Sequence, residues 1–208
     1  EIAKQVFTIA KNTRHENFDI LQLTDYGKVK SRLALKLVNR KFNEEMLKDM
    51  PHRNVCDDMA CICYIALEDP EDGKIMVHNG VFQNWNIPVS ELMHTAMKNT
   101  ERMYSAKVMD FEEEVKKIGM VPETGKLGNP MYIITHEGRV YGAVGALYKG
   151  LLDRLAEELE SDLILIPSSV HEFLMMPKNT CPIGIGELNQ MVREVNATQL
   201  QADEVLSD

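Results

Sequence analysis

The stretch that decides the fold is residues 131–176, MYIITHEGRVYGAVGALYKGLLDRLAEELESDLILIPSSVHEFLMM. Met131 to Thr135 is apolar and rich in β-branched residues, which predicts a strand, and His136-Glu137-Gly138 predicts the turn that ends it. The apolar residues that follow recur at helical spacing, which predicts one long amphipathic helix from Val144 to Leu159. Its apolar stripe consists of Val144, Leu147, Tyr148, Leu151, Leu152, Leu155, Ala156 and Leu159.

The second half of this stretch predicts a return to extended structure. Asp162 to Ile166 is expected to form a strand, Pro167-Ser168-Ser169 a turn, and Phe173 to Met176 the returning strand. A final helix is indicated further on by an apolar stripe of Leu188, Met191, Val192 and Val195. The C-terminal half therefore reads β-α-β-β-α. Its first two strands should run parallel with a right-handed crossover, because a helix joins them.

The N-terminal half alternates between helical spacing and the two-residue alternation of a strand. Helical spacing predicts a first helix through Ile2, Val6, Ile9, Ala10 and Thr13. Leu33, Leu35 and Leu37 then alternate with more polar positions, which is typical of a half-buried strand.

The remaining elements of this half follow from local signals. Asn43 to Met50 predicts a short helix before Pro51, and Met59 to Leu67 is a nearly continuous apolar run that predicts a central strand. A hairpin through Asp69–Gly73 to a strand at Lys74–His78 is expected. Val89 to Tyr104 shows a helical stripe, and Asp110 with Glu113 forms a capping signal for another short helix.

Together these elements predict an α+β fold in which helices pack on a mixed sheet. We expect one half at residues 1–120, comprising a helical segment followed by a strand, a hairpin and a helix, and a second half at 131–208. Residues 121–130 contain two prolines and two glycines and would form a linker. With 208 residues, the two halves fit one compact domain.

Charge is distributed unevenly along the chain. The net charge is −9; residues 1–55 carry +4 and the remainder −13. An acidic body disfavours binding to a phosphate backbone. One basic strip could meet an anionic partner, although a solvated strand face explains it as well. The strip consists of Lys28, Lys30, Arg32, Lys36, Arg40 and Lys41.

The four cysteines point to a reducing compartment. Cys56, Cys61, Cys63 and Cys181 show no C-x-x-C spacing, so we expect buried free thiols and a cytoplasmic protein. No apolar run approaches the roughly 18 residues that a membrane helix needs. The histidines lack metal-binding spacing, and neither a metal nor a cofactor is expected.

Several segments of the chain resemble a known family. They are Asp49-Met50-Pro51-His52, Asn99-Thr100, Met131-Tyr132-Ile133, Pro167–Glu172 and Glu187–Asn196. Together they resemble an uncharacterised family of bacterial domains of unknown function, carried chiefly by anaerobic Gram-positive species. The resemblance runs from about Phe18 to Asp208, and members of that family extend beyond both ends. It implies no catalytic residue, cofactor or substrate.

Two motifs carry possible chemistry. Ser168, Ser169, His171 and Glu172 supply hydroxyls, an imidazole and a carboxylate, which are the parts of an activated nucleophile. Serines after a proline also form ordinary turns. The glycines Gly142 and Gly145 lie at the predicted start of the long helix, where backbone amides can bind an anion. Close packing of the helix on the sheet explains these glycines better, because no complete phosphate-binding motif is present.

Three functions remain open at this point. The leading hypothesis is a non-enzymatic binding or assembly module with a protein partner or a second copy. The first alternative is a small hydrolase or transferase that uses the Ser168–Glu172 turn. The second is a nucleic-acid accessory protein that uses the basic strip. Methionines left exposed on a helix face would favour docking.

Overall fold

Two four-stranded sheets form the framework of the protein. The computed structural model describes residues 20–67, 73–117 and 129–207. The first sheet has β3 at its centre, with β1 along one edge and β2 and β4 one after the other along the opposite edge. Its strands are β1 (Leu33–Asn39), β2 (His52–Asn54), β3 (Met59–Ala66) and β4 (Lys74–Met76).

The second sheet has the order β5-β6-β8-β7. Its strands are β5 (Ala106–Asp110), β6 (Tyr132–His136), β7 (Leu163–Ser169) and β8 (Glu172–Pro177). The short turn between β7 and β8 makes them an antiparallel hairpin, and β8 then pairs antiparallel with β6. β7 is left as an edge strand.

Seven α-helices connect or cover the described strands. They are α1 (Tyr26–Val29), α2 (Glu44–Lys48), α3 (Asn79–Phe82), α4 (Val89–Met103), α5 (Phe111–Lys117), α6 (Leu151–Glu158) and α7 (Ile185–Gln199). Short 3-10 segments lie at Ile20–Thr24, Lys30–Arg32, Gln83–Trp85, Gly142–Leu147 and Lys178–Thr180. The predicted cap of α5 is confirmed, because the Glu113 amide donates to Asp110 Oδ1 at 3.0 Å.

The α+β class is confirmed, with one correction to the expected sheet. All strand pairs among the described residues are antiparallel, so two antiparallel sheets replace a single mixed one. β6 and β7 do run parallel, as expected of strands joined by a helix, since both are antiparallel to β8. They are not neighbours, because β8 inserts between them.

The long helix predicted at Val144–Leu159 is wrong as one element. Residues Gly142–Leu147 form a 3-10 segment, and α6 starts only at Leu151 after Gly150, which has a positive φ of 71°. The apolar stripe itself is buried or half-buried along its whole length. Helical spacing was therefore a correct guide to burial but not to the continuity of the helix.

Two local predictions also need correction. β1 is buried on both faces rather than one, because its second face is covered by residues such as Leu47 and Met50. Pro167–Ser169 is not a turn but the irregular end of β7, and the chain reverses at Val170-His171. Proline fits there because β7 is an edge strand, where a missing amide hydrogen costs no ladder bond.

One large apolar core joins the two sheets. It includes Leu35 and Cys63 of the first sheet, Ile134 and Phe173 of the second, and Leu92 of α4. All four cysteines are free; Cys61 and Cys63 are buried as expected, whereas Cys56 is exposed. No described helix is long and apolar enough to cross a membrane.

Some predictions fall outside the described residues. These are the first helix at residues 2–13, the tip of the hairpin at 68–72, and the linker apart from Asn129 and Pro130. The division of the chain at residues 121–130 stays a prediction. The hairpin itself is confirmed by the pairing of β3 with β4.

The packing of Gly142 generates a stability prediction. A Cβ atom at this position would collide with Thr135 Oγ1 and lie 2.6 Å from the carbonyl oxygen of His171. Gly142→Ala should therefore lower the free energy of unfolding by about 1–3 kcal/mol, as overpacking does. Urea unfolding measures this change.

Gly186→Ala is the matched control, because nothing lies within 4 Å of the added Cβ in α7. Alanine is the better helix former, so this variant should be neutral or more stable. Equal unfolding midpoints for the two variants would contradict the close packing described for Gly142.

Candidate functional site

The Ser168–Glu172 motif lies at the β7–β8 turn, with its two serines on opposite faces of the strand. Ser169 is buried, and its Oγ accepts the backbone amide of His171 at 3.0 Å. Ser168 lines an apolar groove on the other side of the sheet. The bond made by Ser169 is the local side chain–backbone bond of an ordinary turn.

The ring of His171 is held by groups other than the serines. Its Nδ1 accepts the Tyr141 amide at 3.0 Å, so neutral His171 carries its proton on Nε2. That Nε2 lies 3.7 Å from Glu204 Oε1. Nucleophile activation needs an imidazole–hydroxyl contact. The described hydrogen bonds of Ser169 and His171 do not supply one, so the catalytic role stays a prediction without a supporting contact.

Glu172 faces a small cavity on the second sheet. The cavity has a volume of about 300 Å³ and is also lined by Thr135, Arg139 and His171. Burial raises the pKa of Glu172, while His171 and Arg139 oppose that shift. The Thr135 hydroxyl donates to the His171 carbonyl at 2.8 Å and is therefore already used in fixing the turn.

The two glycines proposed as an anion site pack closely on β6. The Gly142 amide donates to the Arg139 carbonyl, and the neighbouring Ala143 amide to the Val170 carbonyl. A Cβ at Gly145 would lie 2.7 Å from the Thr135 carbonyl oxygen. The Gly142 and Ala143 amides thus have protein acceptors, and this geometry favours the packing interpretation of the glycines over the phosphate-binding one.

The residues of the basic strip lie in different environments. Lys28, Lys30 and Lys41 are exposed. Arg40 donates to the Asp57 carbonyl at 2.7 Å and so braces the turn before β3. Lys36 is half-buried and points into the interior cluster described next.

A polar and aromatic cluster that sequence reasoning did not find surrounds Tyr141. We call it the Tyr141 cluster, and it consists of Lys36, Tyr64, Lys74, Tyr104, His136 and Tyr141. The ammonium groups of Lys36 and Lys74 lie 4.2 Å and 5.4 Å from the centroid of the Tyr141 ring. The Tyr64 ring meets Tyr141 edge-on at 5.7 Å. Each lysine is within range of a cation–π interaction with the same ring.

The buried end of this cluster holds polar atoms without partners. The Tyr64 hydroxyl and both ring nitrogens of His136 are the buried side-chain atoms that lack a hydrogen bond in the described part of the chain. His136 stacks on Tyr104, with 4.7 Å between ring centroids. Burial is the main cause that lowers the pKa of His136 to about 4, and Lys74 adds to it. Buried polar atoms are satisfied in the great majority of cases, so three orphans in one cluster need an explanation.

The C-terminal tail, residues 200–207, packs near the Tyr141 cluster. Val170 donates to the Glu204 carbonyl, Leu206 is fully buried, and the Ser207 hydroxyl is hydrogen-bonded to Asp58. This path brings Asp203 close enough to raise the pKa of Lys36, although desolvation is larger and lowers it overall. The tail therefore links the second sheet to the first.

An apolar groove runs between α7 and the face of the second sheet that points away from the core. Its volume is about 260 Å³, and none of the described residues that line it is charged. Leu188 of α7 is buried there, whereas Met191 and Val195 of the same stripe are 53% and 45% exposed. The predicted final helix is confirmed, but its apolar stripe is only partly covered.

Comparison with known proteins gives a family and no activity. The family model described as "Family of unknown function (DUF5688)" matches residues 1–208. The chain belongs to this family. The expected resemblance to an uncharacterised family is thereby confirmed. No curated protein and no solved structure matches the DUF5688 chain.

Little in the sequence of this DUF5688 member could have revealed the Tyr141 cluster. Its six residues come from six separate segments, and their spacing in the sequence matches no binding motif. The one available signal was Lys36, a lysine in the middle of an otherwise apolar strand. Among the described residues, no group of three or more histidine, cysteine or acidic side chains could hold a metal ion.

The buried His136 of the DUF5688 chain makes stability depend on pH. Its pKa falls from an ordinary 6.5 to about 4 on folding. Below about pH 6.5 the unfolded chain therefore binds a proton at His136 that the folded chain does not bind. The free energy of unfolding falls as the pH is lowered from about 6.5 to about 4. His136→Phe should flatten this dependence, as measured by urea unfolding between pH 7 and pH 4.

His94→Phe is the control, because His94 is exposed on α4. This variant should keep the wild-type dependence on pH. If His136→Phe and His94→Phe show the same slope as the wild type, His136 is not buried in its neutral form.

Proposed function

We propose that this chain is an assembly module that binds a second copy of itself through the outer edge of β7 and the groove beside α7. The observation that carries this proposal is the open apolar edge of β7. Along Leu163–Ser169, no backbone group makes a hydrogen bond to another described element on the side away from β8. Such an edge is a ready template for pairing with another strand.

Most of the β7 edge carries no charged residue that would protect it against pairing. No lysine, arginine, aspartate or glutamate lies between Asp162 and Glu172. Proline and the bulge at Pro167/Ser169 block only its last residues. The opposite case is β1, an edge of the first sheet, where the Leu35 amide donates to Thr100 Oγ1 of α4. A helix covers the edge of β1, whereas no described element pairs with the outer edge of β7.

The α7 surface next to this edge supports the same interface. Ile185, Met191 and Val195 are 68%, 53% and 45% exposed on a helix that carries three charged residues, Glu187, Arg193 and Glu194. Methionine at an exposed apolar surface suits adaptable docking. Clustered exposed apolar side chains mark interaction sites more often than isolated ones do.

Charge favours this face over the rest of the surface. Two copies that each carry a net charge of −9 repel one another. The repulsion is weakest where the contact surface carries little charge, as the groove and the β7 edge do. A partner with the same charge is therefore best accommodated here.

A two-fold axis beside β7 gives the simplest geometry. Antiparallel pairing of β7 with its copy would make each surface self-complementary. The seven-residue strand is about 23 Å long and the fifteen-residue helix about 22 Å, so both elements would contribute along the whole contact. The free thiols of the chain favour a reducing compartment such as the cytoplasm for this assembly.

Sedimentation or light scattering over a range of concentrations tests the proposal. The wild type should form a dimer. Met191→Glu should raise the dissociation constant of that dimer at least tenfold, because it places a charge in an apolar contact. Ile164→Lys should act in the same way by adding a lysine to the edge strand.

Phe42→Glu is the matched control, since Phe42 is a 50% exposed apolar residue outside the groove and the β7 edge. It should leave the dissociation constant unchanged. A wild type that stays monomeric at every concentration overturns the proposal, and so does an equal effect of Met191→Glu and Phe42→Glu.

A further inference from the structure

The first sheet presents three polar side chains on one face. The registers Ala34–Tyr64–Met76 and Ala66–Lys74 place Tyr64 and Lys74 on the same side of the sheet as Lys36, since side chains two apart on a strand share a face. Tyr141 comes from the other half of the chain and covers this face. The Tyr141 cluster is therefore a junction between the two sheets rather than a local motif.

Two positively charged side chains lie at this junction, and the described residue Asp203 compensates only one of them in part. Lys36 and Lys74 both lie over the Tyr141 ring. Neither makes an ion pair within 4 Å anywhere in the described ranges. Desolvation lowers the pKa of both lysines, and Asp203 offsets only part of that shift for Lys36. An anion between two half-buried ammonium groups beside one ring would stabilise the charged form of each.

The Tyr64 hydroxyl gives a second reason to expect a ligand at this junction. Tyr64 is fully buried, Lys74 lies 5.9 Å from its ring centroid, and its hydroxyl makes no well-formed hydrogen bond in the described part of the chain, although the Tyr104 hydroxyl is close enough to help raise its pKa. A buried hydroxyl without a partner costs free energy of about 1–3 kcal/mol. An oxyanion placed between Tyr64 and the lysines would accept a hydrogen bond from the hydroxyl and complete the compensation of the two ammonium groups.

The two ends of the cluster differ in exposure, which gives the ligand an orientation. Lys36, Lys74 and Tyr141 are half-buried and reach the surface, whereas Tyr64 and His136 are buried. The lysines would bind a charged group at the exposed end of the cluster. The neutral imidazole of His136 offers one donor and one acceptor deeper in.

We propose that Lys36, Lys74 and Tyr64 bind the oxyanion group of a small molecule above the Tyr141 ring. The ligand class is a small carboxylate or phosphate, because two ammonium groups and one phenol supply only hydrogen-bond donors and positive charge to an oxyanion. This site is separate from the β7 edge and the α7 groove. Anion binding is therefore expected whether or not the chain self-associates.

Thermal unfolding of the full chain with sodium phosphate, sodium acetate or sodium chloride at equal ionic strength tests the proposal. Phosphate or acetate should raise Tm beyond the value in chloride, because a ligand that binds only the folded state stabilises it. The anion that gives the larger shift identifies the preferred oxyanion. Isothermal titration with that anion then gives the dissociation constant.

Lys36→Met and Lys74→Met should each weaken anion binding at least tenfold. Tyr64→Phe should weaken it several-fold, and it removes a single hydroxyl, so it tests the site even if a lysine variant fails to fold. The control is Lys98→Met, an exposed lysine on α4, which should bind like the wild type. Equal shifts in all three salts overturn the proposal, as does anion binding that survives all three cluster variants.

Discussion

The close contact between the Gly142–Leu147 segment and β6 is the constraint on which the rest of the structure depends. This segment packs against β1 of the first sheet and against β6 and β8 of the second. Only glycine fits at Gly142 and Gly145, where the backbone approaches Thr135 directly. The approach places Tyr141 beside Tyr64 and fixes His171 through the Tyr141 amide. The junction between the sheets and the Tyr141 cluster therefore have the same physical origin.

The β7–β8 turn connects the two surfaces for which functions are proposed. Ser168 lies in the groove beside α7, whereas Ser169 lies on the other face of the strand and the His171 ring stacks on Tyr141 at 6.0 Å. Because successive strand residues point to opposite faces, a single turn can serve both surfaces. The C-terminal tail adds a second link, since Asn196 of α7 donates to the Ser207 carbonyl at 2.7 Å. Residues that resembled a nucleophile in the sequence thus have a structural position between the two surfaces.

Periodicity predicted the parts of this fold that are decided locally. The stripes of α4 and α7 and the apolar run of β3 gave correct elements, because burial on one face or two leaves a direct trace in the sequence. The spacing of Val144 and Leu147 also reported burial correctly. It could not report the 3-10 geometry, which follows from the tertiary contact of Gly142 with Thr135.

Long-range contacts explain what could not be predicted. Whether β1 is covered on one face or two depends on Leu47 and Met50, which lie beyond the end of the strand. The insertion of β8 between β6 and β7 depends on pairing preferences that a single strand does not reveal. The Tyr141 cluster combines residues from position 36 to position 141, so no local pattern contains it.

Native-state hydrogen exchange tests the central claim, that the Gly142–Leu147 contact makes the two sheets one cooperative unit. The amides of Leu35 in β1, Ile134 in β6 and Ala143 should exchange with the same free energy of opening, equal to that of global unfolding. Exchange of the second sheet at a distinctly lower free energy than the first would contradict the account, because the sheets would then open independently.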